Sequence, residues 1–207
     1  MQLQNYYYWF KDAVPHHVCD DIVRYAKSIQ DQMAVTGGYG NKKLNKKEVQ
    51  DLKKKRDSDI VWLNERWIYN AIHPYIHQAN RDANWNFQWD FSESCQFTKY
   101  KKGQYYDWHC DSWDRPYHKP EEPNSHGKQR KLSVTLSLSD DKDYKGGELE
   151  FDFRNTDPDK KPHTHVLKEI RSKGSLVVFP SDVWHRVKQV KSGIRHSLVI
   201  WSLGWPF

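Results

Sequence analysis

The spacing of apolar positions changes near residue 86, and that change divides the chain. From 16 to 32, Val18, Ile22, Tyr25 and Ala26 fall on one side of a helical wheel, and Ile29 continues the stripe. This is the period of an amphipathic helix. Pro15 stands just before it, where a helix tolerates proline. A second helix is predicted over 64–82, with Trp67, Ile68, Ala71, Ile72 and Ile76 on its apolar side. Beyond 86 the period falls to two. Segments 86–91, 94–100 and 104–111 alternate and are rich in aromatic residues, as strands are. Further strands are predicted over 132–139, 148–154, 163–170, 175–180, 184–190 and 194–203, with turns at 140–147 and 191–193. Many short strands with turn signals between them predict an all-β barrel or sandwich, with the two helices packed on its outside.

Two stretches break this pattern. Residues 36–57 begin Thr-Gly-Gly-Tyr-Gly and turn lysine-rich, which predicts a mobile surface loop with a short helix. Residues 112–130 hold three prolines and one glycine and show no periodicity. A loop of that length is a candidate substrate-facing lid.

Composition excludes several classes. Hydrophobic residues make up only 37% of the 207, but aromatic residues reach 14%, with 10 Trp and 12 Tyr. A disordered chain is poor in aromatics, so a folded domain with a polar surface is expected, long enough for a sizeable core. The net charge of +6 is concentrated in 42–56, and a solvated surface is favoured over a nucleic-acid or acidic-protein contact there. The three cysteines, Cys19, Cys95 and Cys110, form no CxxC pair. That argues against a disulfide framework and a cysteine zinc site and fits a reducing compartment. The first residues lack the basic and apolar regions of a signal peptide, and no stretch approaches the roughly 18 apolar residues of a membrane span. A cytoplasmic protein that makes no membrane contact is expected.

The candidate chemistry lies in the alternating half. His109 and Asp111 occur in WHCD, His185 in PSDVWHRV, and Arg195 follows in GIRHS. On a strand, residues i and i+2 share a face, so His109 and Asp111 can grip one ion while Cys110 points away into the core. Two histidines and a carboxylate form the facial set that holds non-haem Fe(II) with positions left open. A histidine and aspartate so spaced are weak evidence alone, since chance supplies about one such match in a chain of this size. The third ligand on another strand, and an arginine on the next, strengthen it. Upstream stand Tyr100, Gly103 and Tyr106. Downstream, Gly146-Gly147 opens a strand, and Arg195 and Ser197 share a face.

With the strings YKKGQYYDWHCD (100–111), GGELEF (146–151) and FPSDVWHRVKQVKSGIRHSLVIW (179–201) in view, the chain resembles the Fe(II)- and 2-oxoglutarate-dependent oxygenases. Within them it is most similar to the prolyl 4-hydroxylase-like branch and its small bacterial and viral members. The resemblance covers about residues 90–203. It implies a mainly β fold with N-terminal helices and a double-stranded β-helix (jelly roll, cupin-like) core. The expectation is one domain over 1–207, with 1–85 as helical and basic-loop support and 86–207 as the β-helix core. The resemblance also implies Fe(II) on His109, Asp111 and His185. Arg195 would pair with the distal carboxylate of 2-oxoglutarate, Ser197 would assist, and Tyr100 would hydrogen-bond the co-substrate. Dioxygen is the other co-substrate and ascorbate a candidate reductant. Tyr106, Trp113, Trp201 and Arg154 are candidate substrate contacts. Some prolyl hydroxylase relatives carry a tyrosine on the strand before the Gly-Gly turn. Here that stretch is LSVTLSLS, so Ser137 or Ser133 is expected to replace it.

The activity so implied is hydroxylation of a C–H bond, first of a prolyl or other peptidyl residue, with release of succinate and CO2. A protein or peptide is then the expected partner. An oxidative nucleic-acid demethylase is an alternative suggested by the basic run. That branch usually carries a second arginine six residues after the first, where this chain has Trp201. A small-molecule hydroxylase is a further alternative. A non-catalytic binding module is disfavoured by the intact triad.

Overall fold

The computed structural model describes residues 5–29, 32–33, 45–112, 114–153 and 163–207. Their elements run β1 (Tyr8–Phe10), α1 (His16–Lys27), β2 (Gln32–Met33), α2 (Lys46–Lys55), β3 (Arg56–Asp57), β4 (Asp59–Leu63) and α3 (Arg66–Asp82). There follow β5 (Phe91–Ser92), β6 (Cys95–Tyr100), β7 (Tyr105–His109), β8 (Gln129–Ser137), β9 (Tyr144–Gly146) and β10 (Leu149–Asp152). The last are β11 (Thr164–Val166), β12 (Leu176–Pro180), β13 (Trp184–Val187), β14 (Val190–Gly193) and β15 (Arg195–Gly204).

The protein is mainly β, and every strand pair among the described residues is antiparallel. The major sheet runs β1-β12-β8-β15-β6-β4-β2, with β5 also on β15. The minor sheet runs β11-β10-β13-β7-β3, and β14 pairs with β9. Residues before 86 thus supply strands to both sheets as well as the helices.

Alternation along the central strands divides two cores. Leu198 and Ile200 of β15, with Val134 and Leu136 of β8, join Ile22, Ile68, Ile72 and Ile76 in the layer between helices and major sheet. The second core holds Phe151, Val177, Phe179, Val187 and Val190, between the two sheets. Strands buried on both faces explain the near-continuous apolar run of β15.

Several expectations need correction. The first helix stops at Lys27, where Ser28 turns its hydroxyl onto the Tyr25 carbonyl at 2.6 Å. Its buried stripe is Cys19, Ile22 and Ala26, while Tyr25 and Ile29 are exposed. Trp67 lies outside the covered face of α3. Segment 86–91 is not a strand except at Phe91, and the Asn80 side chain takes up the backbone at Phe87 instead. Asn80 donates to the Phe87 carbonyl and accepts from the Phe87 N–H, both at 2.9 Å. Residues 191–193 form part of β14 rather than a turn, pairing with β9. Of the basic stretch, 36–44 lies outside the described residues. The remainder is α2, opened by an Asn45–Glu48 capping box, and the short strand β3. Among the described residues, no helix is long and apolar enough to cross a membrane.

Candidate metal centre

Two adjacent strands of the minor sheet aim the histidines. His109 ends β7, and His185 of β13 is its direct cross-strand partner. Each imidazole is tied to the main chain two residues earlier: His109 Nδ1 to the Asp107 carbonyl at 2.7 Å, and His185 Nδ1 to the Val183 carbonyl at 2.9 Å. A carbonyl only accepts, so Nδ1 carries the proton and the Nε2 lone pair is left for a metal.

Asp111 does not lie on the strand with His109, as the spacing suggests. β7 ends at His109, and Asp111 stands in a bend beyond it. The N–H groups of Asp111 and Ser112 both donate to the Ser181 carbonyl at 2.8 Å. Ser133 Oγ donates to Asp111 Oδ2 at 2.8 Å and also meets Ser181 Oγ at 2.9 Å. Ser133 therefore serves the aspartate, while Ser137 is the buried cross-strand partner of Ser197. Cys110 is half-buried rather than in the core, and burial pushes its thiol up from the usual range.

The three side chains converge. His109 Nε2 is 3.9 Å from Asp111 Oδ1, and His185 Nε2 is 3.6 Å from Asp111 Oδ2. One ligand atom from each lies within 4.8 Å of the others, and all three residues are buried. Burial opposes charge on Asp111, but His185, His109 and Arg130 outweigh it and hold the carboxyl at about 2. Burial, with His185 beside it, lowers His109 well below the usual imidazole range. At neutral pH the set thus offers a neutral His109 and an ionised carboxylate, the forms that ligate metal. Two imidazoles and one carboxylate suit divalent iron, so the donor set fits.

Arg195 begins β15 and is 3% exposed. Nη1 donates to Ser197 Oγ at 3.1 Å, and the guanidinium lies 5.5 Å from the centre of the Tyr100 ring. Among the described residues no carboxylate pairs with Arg195. A buried cation without a counter-charge is costly, and an incoming dicarboxylate with one end on the metal would relieve it. The site therefore fits 2-oxoglutarate too.

The candidate substrate contacts divide. Tyr106 stacks flat on His109, with ring centres 3.5 Å apart. Burial pushes its hydroxyl up to about 12, so it stays protonated. Trp201 is 5% exposed, with Arg130 stacked on it at 3.8 Å and Trp62 beside it. Its indole N–H reaches no hydrogen-bond partner among the described residues. Trp113 and Arg154 lie outside the described residues.

Two arginines near the triad were not singled out from the sequence. Arg130 pairs with Glu93 at 2.5 Å and stands 4.0 Å from Asp111. Arg56 was assigned to the solvated basic run but is 5% exposed. Nε donates to Ser58 and Nη2 to Gln96, and the guanidinium lies 4.5 Å from the Tyr106 ring. The only signal for Arg56 was its place where the lysine run gives way to alternation.

A sequence profile described as the 2OG-Fe(II) oxygenase superfamily matches residues 95–203, more than half of the chain. A PKHD-type hydroxylase of Synechococcus sp. (strain CC9902) is 38% identical over 100 residues, which are 48% of this chain and 36% of that protein. A PKHD-type hydroxylase of Pseudoalteromonas atlantica is 32% identical over 108 residues, 51% of this chain and 41% of that protein. The matches therefore span well under half of either relative. Among solved structures, the viral collagen prolyl hydroxylase of Paramecium Bursaria Chlorella virus-1, in its 2OG complex, aligns with a TM-score of 0.64. It is 19% identical and covers 97% of both chains. A prolyl hydroxylase from Trichoplax adhaerens, in complex with a hypoxia inducible factor oxygen degradation domain peptide fragment, aligns with a TM-score of 0.65. It is 17% identical and covers 96% of this chain and 84% of its own. At such identities these likenesses speak to the fold. The profile match takes in every triad residue and Arg195, and the chain belongs to the 2OG-Fe(II) oxygenase superfamily.

Proposed function

We propose that the protein is a 2-oxoglutarate-dependent dioxygenase that hydroxylates a C–H bond of a peptidyl residue, with proline the first candidate. The observation that carries this reading is the convergence of His109, Asp111 and His185 in a structure where the buried Arg195 has no carboxylate partner among the described residues. Bound iron and 2-oxoglutarate would supply the oxidation with dioxygen as the oxidant: one oxygen atom enters succinate as the co-substrate loses CO2, and the other converts the substrate C–H to C–OH.

The residues have distinct duties. His109, Asp111 and His185 hold the metal. Arg195 takes the distal carboxylate, a task suited to a planar, permanently charged fork. Ser197 braces Arg195, and Tyr100 closes the co-substrate space beside it. Tyr106 and Trp201 wall the site near the triad and exclude water, with the Tyr106 hydroxyl able to donate to a substrate carbonyl. The fold likeness supports a double-stranded β-helix core, and strands contributed from both ends of the chain support one domain over 1–207. The peptide-bound Trichoplax neighbour supports a peptide substrate over a small molecule.

The test is conversion of 2-oxoglutarate to succinate with Fe(II) and oxygen, comparing wild type with His109→Ala and Arg195→Ala. Succinate formation by the wild type and its loss in both variants is expected. If the iron-loaded wild type forms none and fails to bind 2-oxoglutarate anaerobically, the reading falls.

A further inference from the structure

One buried charge beside the triad has no partner among the described residues. With Fe(II) bound by Asp111 and 2-oxoglutarate bound by Arg195, the two carboxylates of the co-substrate, one aspartate, the metal and Arg195 sum to zero. Arg130 is matched by Glu93. Arg56 is matched by nothing: its hydrogen bonds go to a serine and a glutamine, and among the described residues no carboxylate pairs with it. Nε and Nη2 are the nitrogens so engaged, and Nη1 makes no hydrogen bond to any described residue.

Arg56 is also the inner end of a basic track. It follows α2 directly, and it is the cross-strand partner of Tyr106, whose ring stacks on His109. Tyr105 fastens the helix by donating to the carbonyls of Lys53 and Lys54. On α2, Lys53 and Lys54 already meet Asp57 and Asp51. Lys46, Lys47 and Lys55 are exposed and have no ion-pair partner among the described residues. Unmatched positive charge thus runs from the outer face of α2 to a point one aromatic ring from a metal ligand.

We propose, resting on the oxygenase reading, that the substrate is an acidic peptide segment: α2 attracts it, and Arg56 receives a carboxylate close to the oxidised residue. The charge is too small in extent for a nucleic-acid footprint, which needs a broad basic face with stacking platforms. A carboxylate side chain is also slim enough to reach an arginine this buried, and charge-assisted bonds to a guanidinium are the strong kind.

Three fluorescein-labelled peptides test this, equal in length, with a central proline flanked by glutamates, glutamines or lysines. Anisotropy is read on the anaerobic Fe(II)–2-oxoglutarate protein, with 2-oxoglutarate binding followed by absorbance in the same samples. The glutamate peptide should bind at least about tenfold tighter than the glutamine peptide at low salt, and the lysine peptide weakest. Arg56→Gln should remove most of that preference. Lys46→Gln/Lys47→Gln/Lys55→Gln, on a surface that tolerates change, should weaken it and flatten its salt dependence. Equal binding of the three peptides, no binding of any, a preference surviving in both variants, or tighter binding of a single-stranded oligonucleotide each overturns the proposal. Loss of the absorbance signal in wild type would instead count against the oxygenase reading, so the two failures are distinguishable.

Discussion

His185 and His109 are direct cross-strand partners on β13 and β7, with ring centres 4.1 Å apart. The spacing of two metal ligands is therefore set by the ladder itself. A slip of one residue would send an imidazole to the opposite face of the sheet. The third ligand has no such guarantee, because Asp111 lies beyond the strand and depends on Ser181 and Ser133.

Ser133→Ala should show that dependence. The variant keeps all three ligands but removes the 2.8 Å hydrogen bond to Asp111 Oδ2. Loss of an outer partner of a metal ligand typically lowers affinity about 10- to 100-fold. Fe(II) titration should show a fall in that range with the circular dichroism spectrum unchanged. Unaltered affinity would mean that the Ser181 carbonyl alone fixes Asp111.

Arg195→Ala should weaken 2-oxoglutarate without disturbing the metal. Losing two charge-assisted hydrogen bonds costs about 3 kcal/mol or more, which is roughly a hundredfold in affinity. Arg195→Lys should recover only part of this, since an ammonium cannot present the planar fork. Calorimetry with 2-oxoglutarate on metal-loaded protein checks both. Tight binding by Arg195→Ala would remove the residue from the co-substrate site.

Gly193→Ala should act on Arg195 through the backbone. Gly193 has φ +74, and a Cβ there would sit 2.0 Å from the Asp143 carbonyl oxygen. The clash falls on the β14–β9 pairing, just before β15 begins. Strain of this kind costs about 1–3 kcal/mol. A lower melting temperature together with weaker 2-oxoglutarate binding is expected. A melting temperature equal to wild type would show that the pairing can shift to make room.

Stability should fall with acid in part through His196. Burial, with Lys27, Lys99 and Arg195 nearby, lowers this imidazole to about 4, while in the unfolded chain it titrates near 6.5. Between those values the unfolded chain holds the extra proton, so stability is full above pH ~6.5 and is lost as pH falls toward ~4. The loss attributable to this group is about 3 kcal/mol at most. Denaturant unfolding across that range should show a steeper pH dependence for wild type than for His196→Gln. Parallel curves would exclude the histidine as a source.

The sequence made some of this legible and hid the rest for physical reasons. The gathering of His109, Asp111 and His185 could be read from residue type and short spacing, although strand pairing places only the two histidines. Most of the strands after residue 94 could be read from their alternation. Segment 86–91 could not, because Asn80 takes up its first residues, through its main-chain carbonyl at Asn86 and its side chain at Phe87, and the segment meets β15 only from the Asp90 N–H onward. The bend at Asp111 was hidden since its anchors, Ser133 and Ser181, come from distant strand ends that only the folded sheets bring together. Arg56 was hidden by its own neighbours. In a lysine-rich run every cation looks solvated, and only the passage from helix to strand turns this one inward.

The carbonyl tethers on His109 and His185 have a consequence for how this site can change over generations. Both imidazoles take their orientation from oxygens of the main chain, at Asp107 and Val183, and every amino acid carries that oxygen. Substitution at either position leaves the tether in place, so drift there need not unsettle the ligands. The aspartate is steadied by a hydroxyl that a single base change can erase. Selection has to watch Ser133, while the backbone looks after the histidines.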